Sequence, residues 1–424
     1  MANQLTKDLE IMFENYVEGF EAACVVSRQA KKFRPDATTM QRAGDTVWRP
    51  QHYHMDIVEG LDLSAASQTE LVQRQVPATF KEPQNILYTL DAREMRDPEH
   101  KTDAGRAAGQ RLAAKIDFDT VTEASRWATN VKAVGDNSTG TKGKDLWDGA
   151  AELDADFTMI GVPMGITKRA FFNAYDYKDL AGELAGRSYT SGINQAAWER
   201  AQIPNVASFD SYKVDQTGRV PAGSAAAITL AAAPAHKVEA MDAVTNMPVD
   251  NRFGTITVSA SHGLQAGDAF TIEGVDMVHL IGKATTDKEQ VFRVLAVSGN
   301  TITIAPKILP LDNADVPSRP YANVTANPAS GAALTVINTV AANTNIMWAD
   351  GSVEVMFGKL AFPTGQGPQV MTATTKQGAT LIMSYAFNHI TGKTTARFTT
   401  LYGVSVLVPE YVAIEIANQV APTP

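Results

Sequence analysis

The chain has almost no cysteine, no long apolar run and no surplus of positive charge. Cys24 is the only cysteine, which excludes an internal disulfide and a cysteine zinc site. No stretch approaches the roughly 18 apolar residues that a membrane span needs. The opening residues, MANQLTKDLE, contain no apolar segment of the kind a secretory signal carries. Lys and Arg number 37 against 46 Asp and Glu, a formal net charge of −9. A dedicated DNA or RNA binder would show a basic excess on one face, whereas an acidic wall beside nucleic acid repels it.

Catalytic patterns are missing as well. Gly392-Lys393-Thr394 resembles the end of a phosphate-binding loop, but the glycine required five positions before Gly392 is Phe387. The three residues read better as a tight turn. No glycine-rich dinucleotide fingerprint follows a predicted strand, and no serine sits in a G-x-S-x-G elbow. His52-Tyr53-His54 places two imidazoles on one face of a strand, half of a metal site without a third ligand nearby. Cys24 lies where an apolar helix meets a basic segment, a poor setting for a thiol nucleophile. The sequence therefore predicts no enzyme, no cofactor and no metal.

What is present is a globular composition. The chain has 424 residues, 44% of them hydrophobic and 20% charged, enough for two or three cores. Residues 5–25 carry the strongest helical signal: Leu9, Met12, Phe13, Tyr16, Val17 and Phe20 form one apolar stripe. Glu10, Glu14, Glu18 and Glu21 flank it, as a solvated face or as a docking face for a partner. Residues 26–44 are basic and irregular and read as an extended arm. Residues 45–50 and 71–80 read as two antiparallel strands around a long polar connection, a protruding loop. Residues 97–131 read as one helix with Asp97 as N-cap and Pro98 in its first turn, weakened by Gly105 and Gly109. A glycine-rich break, 135–140, follows. Next, 144–153 reads as helix, 157–162 as strand and 168–175 as helix.

From about 221 to 342 the pattern changes to short alternating strands. Segments 290–297 (QVFRVLAV) and 301–304 (TITI) flank Ser298-Gly299-Asn300, a hairpin with turn residues suited to positive φ. Segments 254–259 and 269–272 alternate in the same way. This reads as a small β-barrel inserted in a host domain, with Phe270, Ile272, Val291, Phe292, Val294 and Ile302 in its core. Strands then resume at 345–348, 353–357, 379–386, 395–402 and 411–416.

Several stretches, in one order along nearly the whole chain, resemble the major capsid (coat) proteins of short-tailed bacteriophages. They are 30–50 (AKKFRPDATTMQRAGDTVWRP), 171–178 (FFNAYDYK), 206–210 (VASFD), 249–258 (VDNRFGTITV), 319–323 (RPYAN), 344–350 (TNIMWAD) and 401–409 (LYGVSVLVP). The segment 359–377 departs from the pattern, and contacts made there do not carry over. The resemblance implies the α+β tailed-phage and herpesvirus capsid fold with an inserted barrel. Its parts would be an N-terminal arm (1–44), an extended two-stranded loop (45–80), a peripheral domain with a spine helix (81–143), the first part of an apical domain (144–220), the barrel (221–342), and the apical return with C-terminal peripheral strands (343–424).

The same resemblance implies a structural role: self-assembly as hexamers and pentamers of an icosahedral shell in the virion, put together in the host bacterial cytoplasm. The implied partners are a scaffolding protein, a portal at one vertex and enclosed double-stranded DNA touched by proximity, with no membrane. Glu14 and Glu18 fall where acidic arm residues meet the scaffold. The loop 236–252, with Lys237, Glu239, Asp242, Asp250 and Arg252, falls where neighbouring capsomers touch across a two-fold axis. A carbohydrate- or host-binding module, or an α/β enzyme with an unrecognised site, remain the alternatives.

Overall fold

A computed structural model describes residues 3–35, 44–55, 61, 72–91, 94, 97–135, 142–185, 200, 203–224, 226–360 and 369–419. The two strands predicted at the base of the protruding loop are present as Thr46–Pro50 and Gln75–Thr79 and pair with each other, while most of the polar connection between them and of the glycine-rich break lies outside the described residues. The chain forms two compact units, each assembled from separated segments: residues 1–47, 77–121 and 353–405 in the first, and 48–76, 122–352 and 406–424 in the second.

In the first unit, helix α1 (Asn3–Ala23) buries Leu9, Met12, Tyr16 and Phe20 to 1% exposure or less, so the predicted apolar stripe is its packing face. Part of that face meets the long helix α3 (Pro98–Trp127) at its glycines. A Cβ at Gly105 would lie 2.4 Å from the Met12 carbonyl oxygen, and one at Gly109 would lie 2.3 Å from that of Tyr16. The glycines expected to weaken α3 are what lets α1 approach. Asp97 caps α3 as expected, accepting the Glu99 amide at 3.0 Å.

Residues 26–35 are more ordered than their composition suggests. Val26–Gln29 form a short helix, α2, and Lys31–Phe33 a strand parallel to Val353–Gly358. The cause is remote in sequence: the Asp117 carboxylate of α3 accepts the amides of Val25, Val26 and Ser27 at 2.7, 3.0 and 2.8 Å. The sheet continues through Lys393–Val406, Thr380–Asn388 and Gln369–Thr374, and Gln84–Leu90 also pairs with Lys393–Val406. Tyr16 of α1 packs on Phe398 of this sheet at 4.7 Å between ring centres.

The second unit is built on a sheet ordered Asn130–Gly135, Val412–Gln419, Ala342–Ala349, Lys168–Asn173, Phe209–Val214 and Asn205–Val206. Helix α4 (Lys142–Ile160) covers one face with Leu146, Ala150, Leu153 and Phe157, joined by helix α5 (Ala174–Ala185) through Tyr177 and Leu180. Two expectations are corrected here. Residues 157–160 are the last turn of α4 rather than a strand, because Phe157 continues the buried stripe of that helix. Residues 168–173 are a strand rather than a helix, lying between two partners with Ala170, Phe171 and Phe172 all fully buried. A strand covered on both faces shows a continuous apolar run with no period to read. Asn173 then caps α5, accepting the Tyr175 amide at 3.0 Å.

Residues 228–336 hold a closed barrel, ordered Ile228–Thr229, Ala333–Val336, Ala269–Val278, Thr285–Ser298, Thr301–Ala305 and Gly254–Thr257. A bridge between Leu230 and Val258 joins the last strand to the first. The predicted hairpin is present, with Ser298 facing Thr301 and Gly299 at φ 58°. Phe270, Ile272, Phe292, Val294, Ile302 and Ile304 fill the interior. Val291 is buried at 4% exposure but belongs to the opposite face of its strand, outside that cluster. The barrel hangs from the host sheet on two paired segments, Arg219–Val220 and Ala342–Asn343.

Candidate assembly surfaces

The residues singled out in the sequence divide into exposed and internally committed groups. On α1, Glu10, Glu14 and Glu18 are exposed, with Glu14 and Glu18 one turn apart. Glu21 differs: it accepts the Lys376 amide at 2.9 Å and lies 3.6 Å from that residue's ammonium.

The 236–252 loop is a folded finger. Met241 bridges Pro248, and Asp242 closes the tip by accepting the amides of Val244 and Thr245 at 2.7 and 2.9 Å. Those two bonds hold the Asp242 carboxyl below the usual carboxylate range. Lys237 and Glu239 pair at 2.6 Å on the surface, and the hydrogen bond to Glu239 raises the Lys237 ammonium. Asp250 and Arg252 are turned inward. Arg252 holds the Asp250 carboxylate through Nε at 2.9 Å and Nη2 at 2.6 Å, and donates to the Val406 carbonyl at 2.7 Å. Its guanidinium lies 3.9 Å from the centre of the Trp127 ring. Lys237, Glu239 and Asp242 thus face solvent, while Asp250 and Arg252 fix the base of the loop.

Sequence reading missed a cluster that ties the barrel to α4. Lys288, on the barrel, donates to Asp156 at 2.8 Å and to Glu152 at 3.2 Å, and Lys132 reaches Glu152 at 2.6 Å. Burial raises the Asp156 carboxyl despite Lys288. Burial also acts on Glu152, but Lys132 and Lys288 outweigh it and bring the carboxyl below its usual range. Positions 132, 152, 156 and 288 share no motif, so only the fold brings them together.

Burial sets the state of two side chains singled out in the sequence for their chemistry, His54 and Cys24. His54 packs edge-on against Tyr321 at 5.6 Å, and burial beside Arg74 pushes its imidazole down to about 4, while His52 is exposed. Burial pushes the Cys24 thiol up to about 12. Among the described residues, no group of three or more His, Cys, Asp or Glu side chains could hold a metal ion. Among them, too, no helix is long and apolar enough to cross a membrane.

Comparison with known proteins supplies the context for these surfaces. Residues 1–417 match the family described as P22 coat protein, gene protein 5. Among solved structures, the CUS-3 coat protein I-domain is 66% identical, covering 27% of this chain and 99% of that one, at a TM-score of 0.24. The capsid of cyanophage P-SCSP1u is 9% identical, covering 94% and 89% of the two chains at a TM-score of 0.49. A virus-like particle from Pyrococcus furiosus is 9% identical, covering 96% and 98% at a TM-score of 0.38. On the strength of the family match along almost its entire length, the chain belongs to the P22 coat protein family and is a structural major capsid protein that assembles with its own copies into the virion shell.

Proposed function

We propose that this coat protein forms hexamers and pentamers of an icosahedral shell with the help of a scaffolding protein, around double-stranded DNA and with a portal at one vertex. Assembly takes place in the host bacterial cytoplasm, and the chain performs no catalysis. The family match over residues 1–417 carries this reading. In this scheme residues 1–44 act as the arm, 45–80 as the extended loop, 81–143 as the peripheral domain, 144–220 and 343–424 as the apical domain and its peripheral return, and 221–342 as the inserted barrel. Electron microscopy of the protein expressed with its scaffold tests the reading: closed shells are expected, and discrete small oligomers alone would overturn it.

Glu14 and Glu18 serve as the scaffold contact. Their exposure one turn apart on α1 supports this, and such pairs contribute about 0.2–1 kcal/mol each, weak enough for a partner that must later leave. Replacing both by Ala should lower scaffold incorporation, and unchanged incorporation would leave them as solvated surface. The 236–252 finger serves as the inter-capsomer contact, with Lys237, Glu239 and Asp242 at the surface and Asp250 and Arg252 setting its angle. One loop carrying both signs suits a two-fold contact with its own copy. Asp242→Ala should yield aberrant tubes or unassembled subunits; wild-type assembly would remove the loop from that role.

A further inference from the structure

Every ionisable side chain of the 236–252 finger is already engaged inside the second unit. Lys237 and Glu239 pair with each other, and Arg252 holds Asp250. The His236 ring accepts the Ile308 amide at Nδ1, 3.2 Å away, and donates from Nε2 to the Thr255 carbonyl at 2.9 Å. Asp242 accepts two backbone amides of the turn it begins. A partner's charge would have to displace one of these contacts before gaining its own. Exposed ion pairs are too weak to drive that exchange.

What the finger presents to solvent at its tip is apolar. Met241, Val244 and Met247 are 59%, 90% and 64% exposed. They stand on an ordered hairpin. The Val249 amide donates to the Ala240 carbonyl at 3.3 Å, the Asp242 amide to that of Met247 at 2.9 Å, and the Asn246 amide to that of Asp242 at 2.9 Å. The backbone is therefore set before any partner arrives, which lowers the entropic cost of a contact. Apolar side chains gathered at one tip, rather than scattered, mark an interaction site. Methionine is enriched at interfaces, and its unbranched thioether adapts to the surface it meets.

We infer that the finger meets its own copy through this apolar tip, with Val244 packed against the same residue of a second copy and Met241 and Met247 closing around the pair. Two observations select that occupant. The chain assembles with its own copies. The finger also holds no uncommitted charge by which an oppositely charged protein would be chosen. A two-fold contact offers each tip an identical apolar patch, so no second complementary surface is needed. Asp242 is then a positioning residue: it sets the turn that presents Val244. The Lys237–Glu239 pair remains as polar rim nearer the base, where the Glu239 amide donates to Asn251. The assignment rests on the reading of this finger as the contact between capsomers, and it gives that contact its chemistry.

The test uses shells of the full-length protein made with its scaffold. Val244→Cys adds a thiol at a highly exposed position, while Cys24 is buried. Mild oxidation of these shells should give a disulfide dimer of twice the 45.5 kDa chain on a non-reducing gel, and wild-type shells should give none. Single chains alone from the Val244→Cys shells would overturn the pairing of tips. Val244→Ser/Met247→Ser should lower shell yield about tenfold, as the loss of anchors at the centre of a contact does, with the thermal midpoint of the unassembled chain unchanged. If that variant fails to fold, Val244→Ser alone should still lower the yield. Asp242→Asn keeps an oxygen that accepts the turn amides and drops the charge, so it should rescue the assembly that Asp242→Ala loses. Wild-type yield from the serine variants, or no rescue by Asp242→Asn, would each overturn the apolar contact. The two readings fail differently. Wild-type assembly of Asp242→Ala sinks the finger as an inter-capsomer contact, whereas shells lost with Asp242→Ala but kept with Val244→Ser/Met247→Ser sink only its apolar chemistry.

Discussion

Alanine at Gly109 sets two opposing effects against each other in one methyl group. In an open helix, Gly→Ala stabilises by about 1 kcal/mol, because glycine loses more backbone freedom on folding. At Gly109 the added Cβ would sit 2.3 Å from the Tyr16 carbonyl oxygen, 2.7 Å from the Phe20 amide nitrogen and 3.1 Å from the Gly19 carbonyl carbon. All three are backbone atoms of α1, so no side chain can rotate away and the helix itself must shift. Overpacking of this kind costs about 1–3 kcal/mol. A shift of 0.5–1 Å also forfeits a quarter to a half of the dispersion attraction of the contacts it opens. Tyr16 and Phe20, both at 0% exposure, are the side chains that stand to lose it.

The net expectation is a loss of about 1–2 kcal/mol, opposite in sign to the propensity term. Gly182 is the control: it is exposed in α5, and a Cβ there would meet nothing within 4 Å. Urea unfolding of the monomer, followed by tryptophan fluorescence, should move the midpoint down for Gly109→Ala and up for Gly182→Ala. Equal stabilisation by both substitutions would refute the close crossing of α1 and α3.

Three further outcomes are expected. Burial holds the Glu415 carboxyl well above its usual range, with Asn345 donating to it at 3.1 Å. The native state therefore keeps this proton while the unfolded chain loses it above about pH 4.3, and stability falls by up to about 1.4 kcal/mol per pH unit until the folded group ionises. Glu415→Gln should remove that slope between pH 5 and 8, and a pH-independent difference from wild type would contradict it. Lys288→Ala should destabilise by about 1–3 kcal/mol, because Asp156 loses its cation at 8% exposure, and hydrogen exchange should quicken in 285–298; wild-type exchange there would count against the cluster. Residues 51–75 contain no lysine, so denaturing gels of mature particles should show only the 45.5 kDa chain, and a ladder of its multiples would mean covalent cross-linking.

Local signals were legible wherever local chemistry decides the structure. The 298–301 turn, the stripe of α1 and the Asp97 cap all express rules that act within a few residues, and the structure keeps them. The sequence reads 168–175 as helix because the burial that makes 168–173 a strand comes from partners at 209–214 and 342–349, far away in the chain. One local clue was available: Asn173, two residues before the Tyr175 amide it accepts, marks the start of α5. Helix α2 could not have been foreseen, since its capping carboxylate, Asp117, is about ninety residues away. Among the residues proposed for assembly, Glu14 and Glu18 are exposed beside the buried stripe of α1, a placement that helical spacing alone implies, whereas no local pattern tells that Arg252 is committed to Asp250, Val406 and Trp127.

The neck of the barrel bears on how such a chain becomes folded at all. Segments Arg219–Val220 and Ala342–Asn343 are hydrogen-bonded neighbours, and the barrel strands nearest them in the chain, Ile228–Thr229 and Ala333–Val336, also pair, with Ile228 opposite Leu334. Bringing 220 and 342 together across an unstructured excursion has an entropic cost that rises with the logarithm of its length. A barrel that closes first delivers its two ends side by side, and the remaining gaps are only 221–227 and 337–341. The host sheet then sees two short tethers rather than one long loop, and its central strand, Ala342–Ala349, can zip directly onto Lys168–Asn173 and Val412–Gln419. A barrel that closes early would thereby clamp together the two ends its host sheet needs, and a substitution that slows barrel closure should also slow the pairing of Ala342–Ala349 with its neighbours.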